Sequence, residues 1–167
     1  MNHNLSNDDL LAGKDMLLFA KELFPLNRSL MGPDIRNTFQ KFRKKNREFK
    51  QIEFYTGKKI FDWEVPKEWV IKEAFIEHES GKRFALFSEN NLHIMGYSAP
   101  VDKILSKDEL LQKIHTHPTD KSAIPYVTSY YKNDWAFCMS RNQVEVLPSG
   151  NFRVFIDSKF IEGKLCL

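Results

Sequence analysis

The sequence has few of the residues from which thiol chemistry or disulfide scaffolds are built. Only Cys138 and Cys166 are present among 167 residues, too few for a disulfide framework and badly spaced for a zinc site made of thiolates. Long apolar runs are also missing, since no stretch approaches the roughly 20 residues that span a bilayer. Residues 1–9 lack both the basic start and the apolar centre of a secretion signal. We therefore expect a cytoplasmic protein with no membrane partner.

Motifs for phosphate binding and for serine hydrolysis are absent as well. The sequence contains neither a glycine-rich phosphate loop nor a nucleophile elbow. The formal net charge is only +3, and the positive excess concentrates in residues 41–50, KFRKKNREFK. Lys and Arg are favoured at the C-terminal end of a helix, and no nucleic-acid-binding motif accompanies the cluster. We interpret it as the solvent face of a helix and do not expect nucleic acid as a partner.

Enough apolar material is present for a folded core, because hydrophobic residues make up 42% of the chain. The first 45 residues predict two helices. One begins at a Ser6 or Asn7 cap and runs to about Phe24, with Leu10 and Leu17 on one face. The other begins with a proline and covers residues 33–45.

Beyond residue 48 the apolar period changes to two, which predicts strands. The predicted strands cover residues 49–55, 69–76, 83–87, 92–97, 135–139 and 152–156, and residues 163–167 open another. Ser80-Gly81 indicates a hairpin turn, and the capping box from Ser106 to Glu109 predicts a short helix that reaches about Ile114. The expected fold class is α+β, with two helices followed by a mostly β region.

Residues 115–118, His-Thr-His-Pro, are the strongest candidate for metal chemistry. Two histidines two residues apart on a strand point to one side, as two zinc ligands can. A His-Ser/Thr-His-Pro sequence is typical of metal-dependent isopeptidases that remove ubiquitin. Their pattern continues with a Ser and, three residues later, an Asp, but neither serine that follows here has that Asp. The predicted helix directly ahead of His115 also disfavours a strand, so His115 and His117 are kept only as an alternative zinc pair.

Two further groups of side chains could carry chemistry. Asp62 and Glu64 flank Trp63 and would share a face of a strand, as paired carboxylates for acid–base catalysis do. The sequence supplies no metal, nucleophile or partner for them. Cys138 lies in an apolar stretch and is interpreted as a buried residue, not as an activated thiol. The residues alone predict no active site.

An aromatic cluster is different in kind. Four large rings lie within ten residues, namely Tyr126, Tyr130, Tyr131 and Trp135. Interleaved with small polar residues, such rings suit the wall of a pocket or an interface, and they equally suit packing at the edge of a sheet. Both interpretations stay open.

Three segments together resemble one protein family. They are LFPLNRSLMG at residues 23–32, KIFDWEVPKEW at 59–69, and AIPYVTSYY at 123–131, continued by WAFCMS at 135–140. Over nearly all of residues 8–165 the chain resembles the N-terminal part of the bacterial aminopeptidase-like zinc peptidases of the co-catalytic type. Many members of that family are encoded near surface-polysaccharide genes and carry a domain of unknown function inserted into the peptidase fold.

The resemblance implies two N-terminal helices and a strand from an incomplete α/β zinc-peptidase domain, plus an inserted β-rich domain. Residues 1–59 would be the N-terminal part of the aminopeptidase-like domain, residues 60–142 the inserted domain, and residues 143–167 the return to the peptidase domain. The family's zinc ligands lie in segments that follow Leu165. The resemblance therefore gives His115 and His117 no role.

For function, the resemblance implies a truncated aminopeptidase-like protein that is catalytically inactive alone, with no cofactor in this chain and zinc in full-length relatives. The aromatic cluster would be a lid or pocket wall that contacts a peptide or small-molecule ligand. The alternatives are a zinc isopeptidase that uses the His-Thr-His-Pro segment and a non-catalytic binding module. An unpaired edge on the last strand would favour self-association.

Overall fold

The structure, a computed structural model, describes residues 6–167. Residues 1–5, on which the prediction of no secretion signal partly rests, lie outside this range. The helices are α1 (Asn7–Leu23), α2 (Pro33–Lys45), α3 (Lys107–Leu111) and α4 (Arg141–Glu145). The strands are β1 (Glu53–Tyr55), β2 (Lys59–Ile60), β3 (Trp63–Glu64), β4 (Glu68–His78), β5 (Arg83–Phe84), β6 (Val101–Ser106), β7 (Ile114–His115), β8 (Phe137–Cys138), β9 (Asn151–Ile161) and β10 (Lys164–Cys166). This mixture confirms the α+β class.

Helix α1 begins where the sequence predicts it. The Ser6 hydroxyl accepts a hydrogen bond from the Asp9 backbone N–H at 3.1 Å, and the Asp9 carboxylate accepts one from the Ser6 N–H at 3.0 Å. These two bonds satisfy donors that the first turn leaves free. The apolar stripe, however, is not covered by the rest of the described chain. Leu10 and Leu17 are 56% and 57% exposed.

Helix α2 also has its predicted bounds. Pro33 occupies the first helical position, and the Asp34 carboxylate accepts a hydrogen bond from the Asn27 backbone N–H at 2.8 Å, which ties the preceding loop to the helix. The last turn carries three basic residues, Arg43, Lys44 and Lys45, as the helix dipole favours.

The main sheet has four antiparallel strands in the order β5-β4-β9-β6. Strands β4 and β9 form ten residue pairs, from Glu68 opposite Ile161 to His78 opposite Phe152, with one bulge between Ile71 and Glu73. Alternate residues of β9 point into the core, which explains their apolar character. The core contains, among others, Ile76, Leu110, Phe137, Phe152 and Val154, all fully buried.

The predicted strands at 69–76 and 152–156 are confirmed, and both are longer than expected. The strand expected at 92–97 is wrong. Asn91–His93 forms a single 3-10 turn, and only isolated bridges at Ile94 and Gly96 follow it. Tyr97 then adopts a φ of 65°, which no strand residue has.

Strand β6 escaped the sequence prediction, because as an edge strand of the sheet it buries little of its apolar content. Its only fully buried residue is Val101, and Ile104 is 75% exposed. The short helix that follows is correctly placed at its start, since Ser106 and Glu109 form the expected capping box. It ends earlier than expected, at Leu111, and leaves room for β7.

A second, two-stranded sheet joins the segment that follows α2 to the C-terminal strand. Strand β1 pairs antiparallel with β10, and backbone hydrogen bonds of 2.9 Å between Ile52 and Leu167 extend the pairing. The strand predicted at 49–55 is therefore regular only where β10 lies beside it. The strand expected at 163–167 is confirmed.

Two of the three predicted segments contribute strands to the same sheet. Strand β9, which belongs to the segment at 143–167, is a central strand of the sheet that contains β4 from the segment at 60–142. Only β10 returns to the neighbourhood of β1. The division of the chain into a peptidase part and an insertion stays a prediction.

Helix α2 and the main sheet are joined by an ion pair whose carboxylate is buried and whose guanidinium is 29% exposed. Arg36 of α2 donates two hydrogen bonds, of 2.8 and 3.0 Å, to the two carboxylate oxygens of Glu68 at the start of β4. Glu68 is only 3% exposed. Gly163 packs directly on this carboxylate, because a Cβ there would lie 2.5 Å from Glu68 Oε2. The Gly163 N–H donates to the Thr56 hydroxyl at 3.0 Å, and that hydroxyl donates to the Pro66 carbonyl.

Replacing Arg36 by Met should lower the free energy of unfolding by about 3 kcal/mol, since Glu68 would keep a buried charge without a partner. Urea denaturation measures this loss. The matched control is Arg153→Met, which breaks a two-bond pair with Asp102 whose side chains are 43% and 53% exposed. That change should cost much less stability, because water and salt screen a solvent-exposed pair.

Adding Glu68→Gln to Arg36→Met should recover part of the stability, because the remaining buried group is then neutral. Equal losses for Arg36→Met and Arg153→Met would show that the junction does not depend on the ion pair.

Candidate functional site

The aromatic cluster lies on an irregular segment that runs across the main body beside residues 96–98. The Gly96 N–H donates to the Val127 carbonyl at 2.8 Å, and the Ser129 N–H donates to the Gly96 carbonyl at 2.9 Å. These bonds fix the tyrosines that precede and follow them.

Three of the four predicted rings are brought together. The hydroxyls of Tyr126 and Tyr130 are 3.3 Å apart, and the rings of Tyr130 and Tyr131 meet edge to face with centroids 6.4 Å apart. Tyr126 and Tyr131 are 64% and 84% exposed. We call Tyr126, Tyr130 and Tyr131 the tyrosine wall. Trp135 is placed differently, since it packs against the main core with Lys113 Nζ 5.2 Å from its ring centroid.

Tyr97 lies beneath the tyrosine wall and was not predicted as a site residue. Its ring meets Tyr130 edge to face at 4.7 Å and stacks on Trp69 at 6.1 Å. Tyr97 is only 3% exposed, and its hydroxyl is buried without a hydrogen-bond partner among the described residues. Burial raises the pKa of this phenol above its ordinary value, so the hydroxyl keeps its proton. A buried hydroxyl without a partner is costly, which marks this position as unusual.

Tyr130 and Tyr131 of the tyrosine wall line two cavities. One, of about 400 Å³, is lined by Leu30, Asp62, Trp63, Glu64, Pro66, Tyr130 and Tyr131. We call it the acidic cleft. The other, of about 320 Å³, is lined by Tyr97, Ser129, Tyr130, Tyr131, Lys132, Asn133 and Phe160. We call it the polar cleft. Tyr130 and Tyr131 are common to both, so a ligand in either cleft would touch the wall.

The acidic cleft brings together residues that lie far apart in the sequence. Asp62, Trp63 and Glu64 belong to the hairpin of β2 and β3, in which Ile60 pairs with Trp63. The sequence drew attention to the two carboxylates but offered no partner for them. Their partner is the tyrosine wall, more than 60 residues further along the chain. No pattern in the sequence indicates that proximity.

His115 and His117 are placed by a strand and a turn. His115 lies on β7 and pairs with Cys138 of β8. The expectation of a helix directly ahead of His115 is therefore wrong. His115 is exposed. His117 Nδ1 accepts a hydrogen bond from the Asp120 backbone N–H at 2.9 Å, which leaves only Nε2 for any metal. Among residues 6–167 no group of three or more His, Cys, Asp or Glu side chains is placed to hold a metal ion.

The remaining titratable groups of the core are structural. His93 Nδ1 lies 2.9 Å from the Cys138 carbonyl oxygen, and both residues are buried. Burial raises the pKa of the Cys138 thiol to about 12. A thiol with that pKa is neutral and unreactive at physiological pH, as the sequence predicts.

None of the helices in the described range is long and apolar enough to cross a membrane.

Comparison with known proteins gives this geometry a context. The model of the domain of unknown function DUF2172 matches residues 68–159, from the first residue of β4 almost to the end of β9. A Clostridium acetobutylicum protein, provisionally named for polysaccharide biosynthesis and for an aminopeptidase-like domain, is 42% identical over 153 residues. That match covers 92% of this chain and 35% of the relative.

A crystal structure of a Clostridium acetobutylicum protein, provisionally named a peptidase, has a TM-score of 0.84 and 41% sequence identity to this chain. The matched region covers 93% of this chain and 36% of the chain in the crystal structure. The chain thus spans about a third of the length of the relatives that it matches. Because the family model accounts for more than half of the residues, the chain belongs to the family defined by the domain of unknown function DUF2172.

Proposed function

We propose that this chain supplies a ligand-contacting wall and its supporting scaffold to an aminopeptidase-like protein. The similarity to a relative named for an aminopeptidase-like domain extends over 92% of the chain, so it includes the N-terminal helices as well as the main sheet. In this proposal α1, α2, β1 and β10 belong to the peptidase-like part. The inserted unit begins near residue 60 and, because β9 is integral to its sheet, continues to Ile161.

The position of the tyrosine wall carries the proposal. Tyr130 and Tyr131 of the inserted unit share the acidic cleft with Leu30 of the peptidase-like part, and with Trp63 and Pro66 from the start of the inserted unit itself. A cleft between two such parts is a usual location for a ligand. The exposed rings offer large apolar contact area with a hydroxyl at the tip. We infer a lid or specificity wall that contacts a peptide or small-molecule ligand.

We further propose that these 167 residues do not hydrolyse peptides by themselves. Zinc is implied for longer relatives by the resemblance, but the described residues offer no three-ligand set that fits it. The tyrosine wall does not supply a base either. Desolvation and the hydrogen bond with Tyr130 raise the pKa of Tyr126 to about 12, so its phenol is neutral at physiological pH.

A non-catalytic binding module is the second candidate. The observation that favours it is the partnerless, buried Tyr97 hydroxyl beside the polar cleft. A ligand that reached this hydroxyl would satisfy it without any chemistry. Ligand binding by this chain with no contribution to turnover in longer relatives would distinguish this candidate from a specificity wall.

Self-association is a further proposal. The ribbon of β1 and β10 has two strands only, and Ile52 and Tyr55 beside it are 61% and 68% exposed. Unpaired strand edges next to apolar side chains favour pairing with a second copy of the chain.

Alanine at the positions that align with Tyr130 or Tyr131 in a longer, active relative should raise KM several-fold and change kcat less, because the wall would contact the substrate and not the reacting bond. Steady-state hydrolysis of amino-acid arylamides measures both constants. Phenylalanine at the same positions is the matched control and should leave KM nearly unchanged. Unaltered kinetics in both alanine variants would refute the specificity wall.

The purified 167-residue chain should release no product from amino-acid arylamides and should hold no stoichiometric zinc. Metal analysis by mass spectrometry, on the wild type and on His117→Ala, measures the second point. One zinc per chain that disappears in His117→Ala would favour the isopeptidase alternative. Chelator-sensitive turnover by the wild type would overturn the proposal of inactivity.

Ile52→Lys should weaken self-association, because a charge beside the β1–β10 ribbon opposes edge pairing. Sedimentation velocity over a range of concentrations measures the effect. Val146→Lys is the control, since Val146 is 71% exposed but lies just after α4. A wild type that stays monomeric at all concentrations would contradict the proposal.

A further inference from the structure

A third cavity, of about 220 Å³, lies beside the loop that connects α1 to α2. Phe24 and residues 26–29 of this loop line it, together with residues from the segment at 91–96 and with Tyr126. We call it the loop cavity. The loop belongs to the segment at 23–32 that stands out in the sequence, and of that segment only Leu30 lines either cleft. The proposed function therefore leaves most of the segment without a role.

Asn91 holds the loop in position. Its side-chain amide donates hydrogen bonds to the carbonyl oxygens of residues 24, 25 and 26, at 3.4, 3.3 and 3.0 Å. The Asp34 carboxylate accepts a hydrogen bond from the Asn27 backbone N–H at 2.8 Å, and Asp34 is not among the residues that line the cavity. Because the acceptors of the loop are engaged in this way, the groups that remain for a ligand are mainly donors.

Two buried hydroxyls at the loop cavity have no partner. Ser29 lines the cavity and is 7% exposed, and its Oγ makes no hydrogen bond to any described residue. Thr128 Oγ1 is equally buried and partnerless within the described chain, and it lies 3.5 Å from the point that a Cβ would occupy on Gly96, another lining residue. A buried hydroxyl without a partner is costly. A ligand atom that accepts a hydrogen bond from Ser29 would remove that cost.

The charge of the lining favours an anion. Arg28 lines the cavity and forms no ion pair within residues 6–167, and no acidic residue is among the described residues around it. A guanidinium presents paired N–H donors that match two oxygens of a carboxylate or a phosphate. Tyr126 offers a further donor, because burial raises the pKa of its phenol to about 12 and the hydroxyl keeps its proton.

We propose that the loop cavity binds the anionic oxygens of a small molecule, carried by a carboxylate or a phosphate group. Arg28 neutralises the charge, and the hydroxyls of Ser29 and Tyr126 donate hydrogen bonds to the oxygens. The apolar residues of the lining contact the carbon skeleton. This inference goes beyond the proposed function, because neither cleft takes part and Tyr126 alone is shared with the tyrosine wall.

The test is titration of the isotope-labelled chain, followed by NMR at an ionic strength held constant with NaCl. Lactate is compared with lactamide, and methyl phosphate with trimethyl phosphate. At least one anion should bind and shift the amide signals of residues 26–29 and 91–96. Its neutral counterpart should bind at least about tenfold more weakly, because the charged hydrogen bonds to Arg28 are lost. Binding of lactate alone identifies a carboxylate ligand, binding of methyl phosphate alone identifies a phosphate, and binding of both shows that the cavity accepts either group.

Arginine variants locate the charge. Arg28→Gln should weaken anion binding about tenfold, and Arg28→Lys, which keeps the charge but loses the paired donors, should weaken it only about threefold. Arg47→Gln is the matched control, since Arg47 is also exposed and also forms no ion pair in the described part of the chain. This control should bind the anion as the wild type does.

Ser29→Ala distinguishes a ligand-binding serine from a structural one. Because its hydroxyl has no partner in the free chain, the alanine variant should keep or raise the melting temperature while it weakens anion binding roughly three- to tenfold. Ser140→Ala is the control with the opposite pattern. Ser140 is buried too, but its Oγ accepts a hydrogen bond from the Gln143 N–H at 3.2 Å, so its loss should lower the melting temperature and leave binding unchanged.

The proposal is overturned if neither anion binds, if each neutral probe binds as well as its anion, or if Arg28→Gln binds as tightly as the wild type. It is equally overturned if Ser29→Ala lowers the melting temperature and leaves anion binding unchanged. None of these measurements depends on the kinetics of longer relatives. The loop cavity and the specificity wall therefore stand or fail separately.

Discussion

The buried carboxylate of Glu68 is the constraint on which the remainder of the structure depends. A carboxylate that is only 3% exposed has lost its hydration, which costs several kcal/mol unless charged hydrogen bonds replace it. Arg36 provides two of these bonds from α2. Because Glu68 is the first residue of β4, the pair fixes the second helix relative to the main sheet. Gly163 is necessarily small here, since any side chain would strike the carboxylate.

The clefts are a consequence of this junction. One side of the acidic cleft comes from residues that precede Glu68, and the other side comes from the tyrosine wall of the inserted unit. Neither side closes a cavity by itself. Next to the first side, the Thr56 hydroxyl links Pro66 to Gly163.

The sequence predicts the parts of this fold that local chemistry determines. Both N-terminal helices have the expected bounds, because caps and a leading proline act within a few residues. The long strands β4 and β9 are recognisable as apolar stretches, and β9 also alternates buried with less buried residues. The strand predicted at 92–97 is wrong because the apolar residues of this segment form a compact turn that packs on β8. This packing is a tertiary requirement that leaves no local pattern in the sequence.

The candidate site was predictable only in pieces. The high density of aromatic residues in the sequence indicated Tyr126, Tyr130 and Tyr131 as site residues. The two-residue spacing of the carboxylates indicated Asp62 and Glu64. Their meeting depends on a long-range fold and could not be read from either segment. Tyr97 gave no signal at all, because a tyrosine in an apolar run is typical of a strand. Trp135 belongs to the same aromatic-rich segment of the sequence, but its side chain packs against the core.

The pairing of β1 with β10 joins residues that are more than 100 positions apart. Closing so long a loop in an unfolded chain carries a large entropic cost before any contact compensates for it. The long antiparallel pairing of β4 with β9 shortens that loop, because Glu68 lies opposite Ile161 and brings Thr56 and Gly163 within hydrogen-bonding reach. We therefore expect the main sheet to form before the ribbon closes on it.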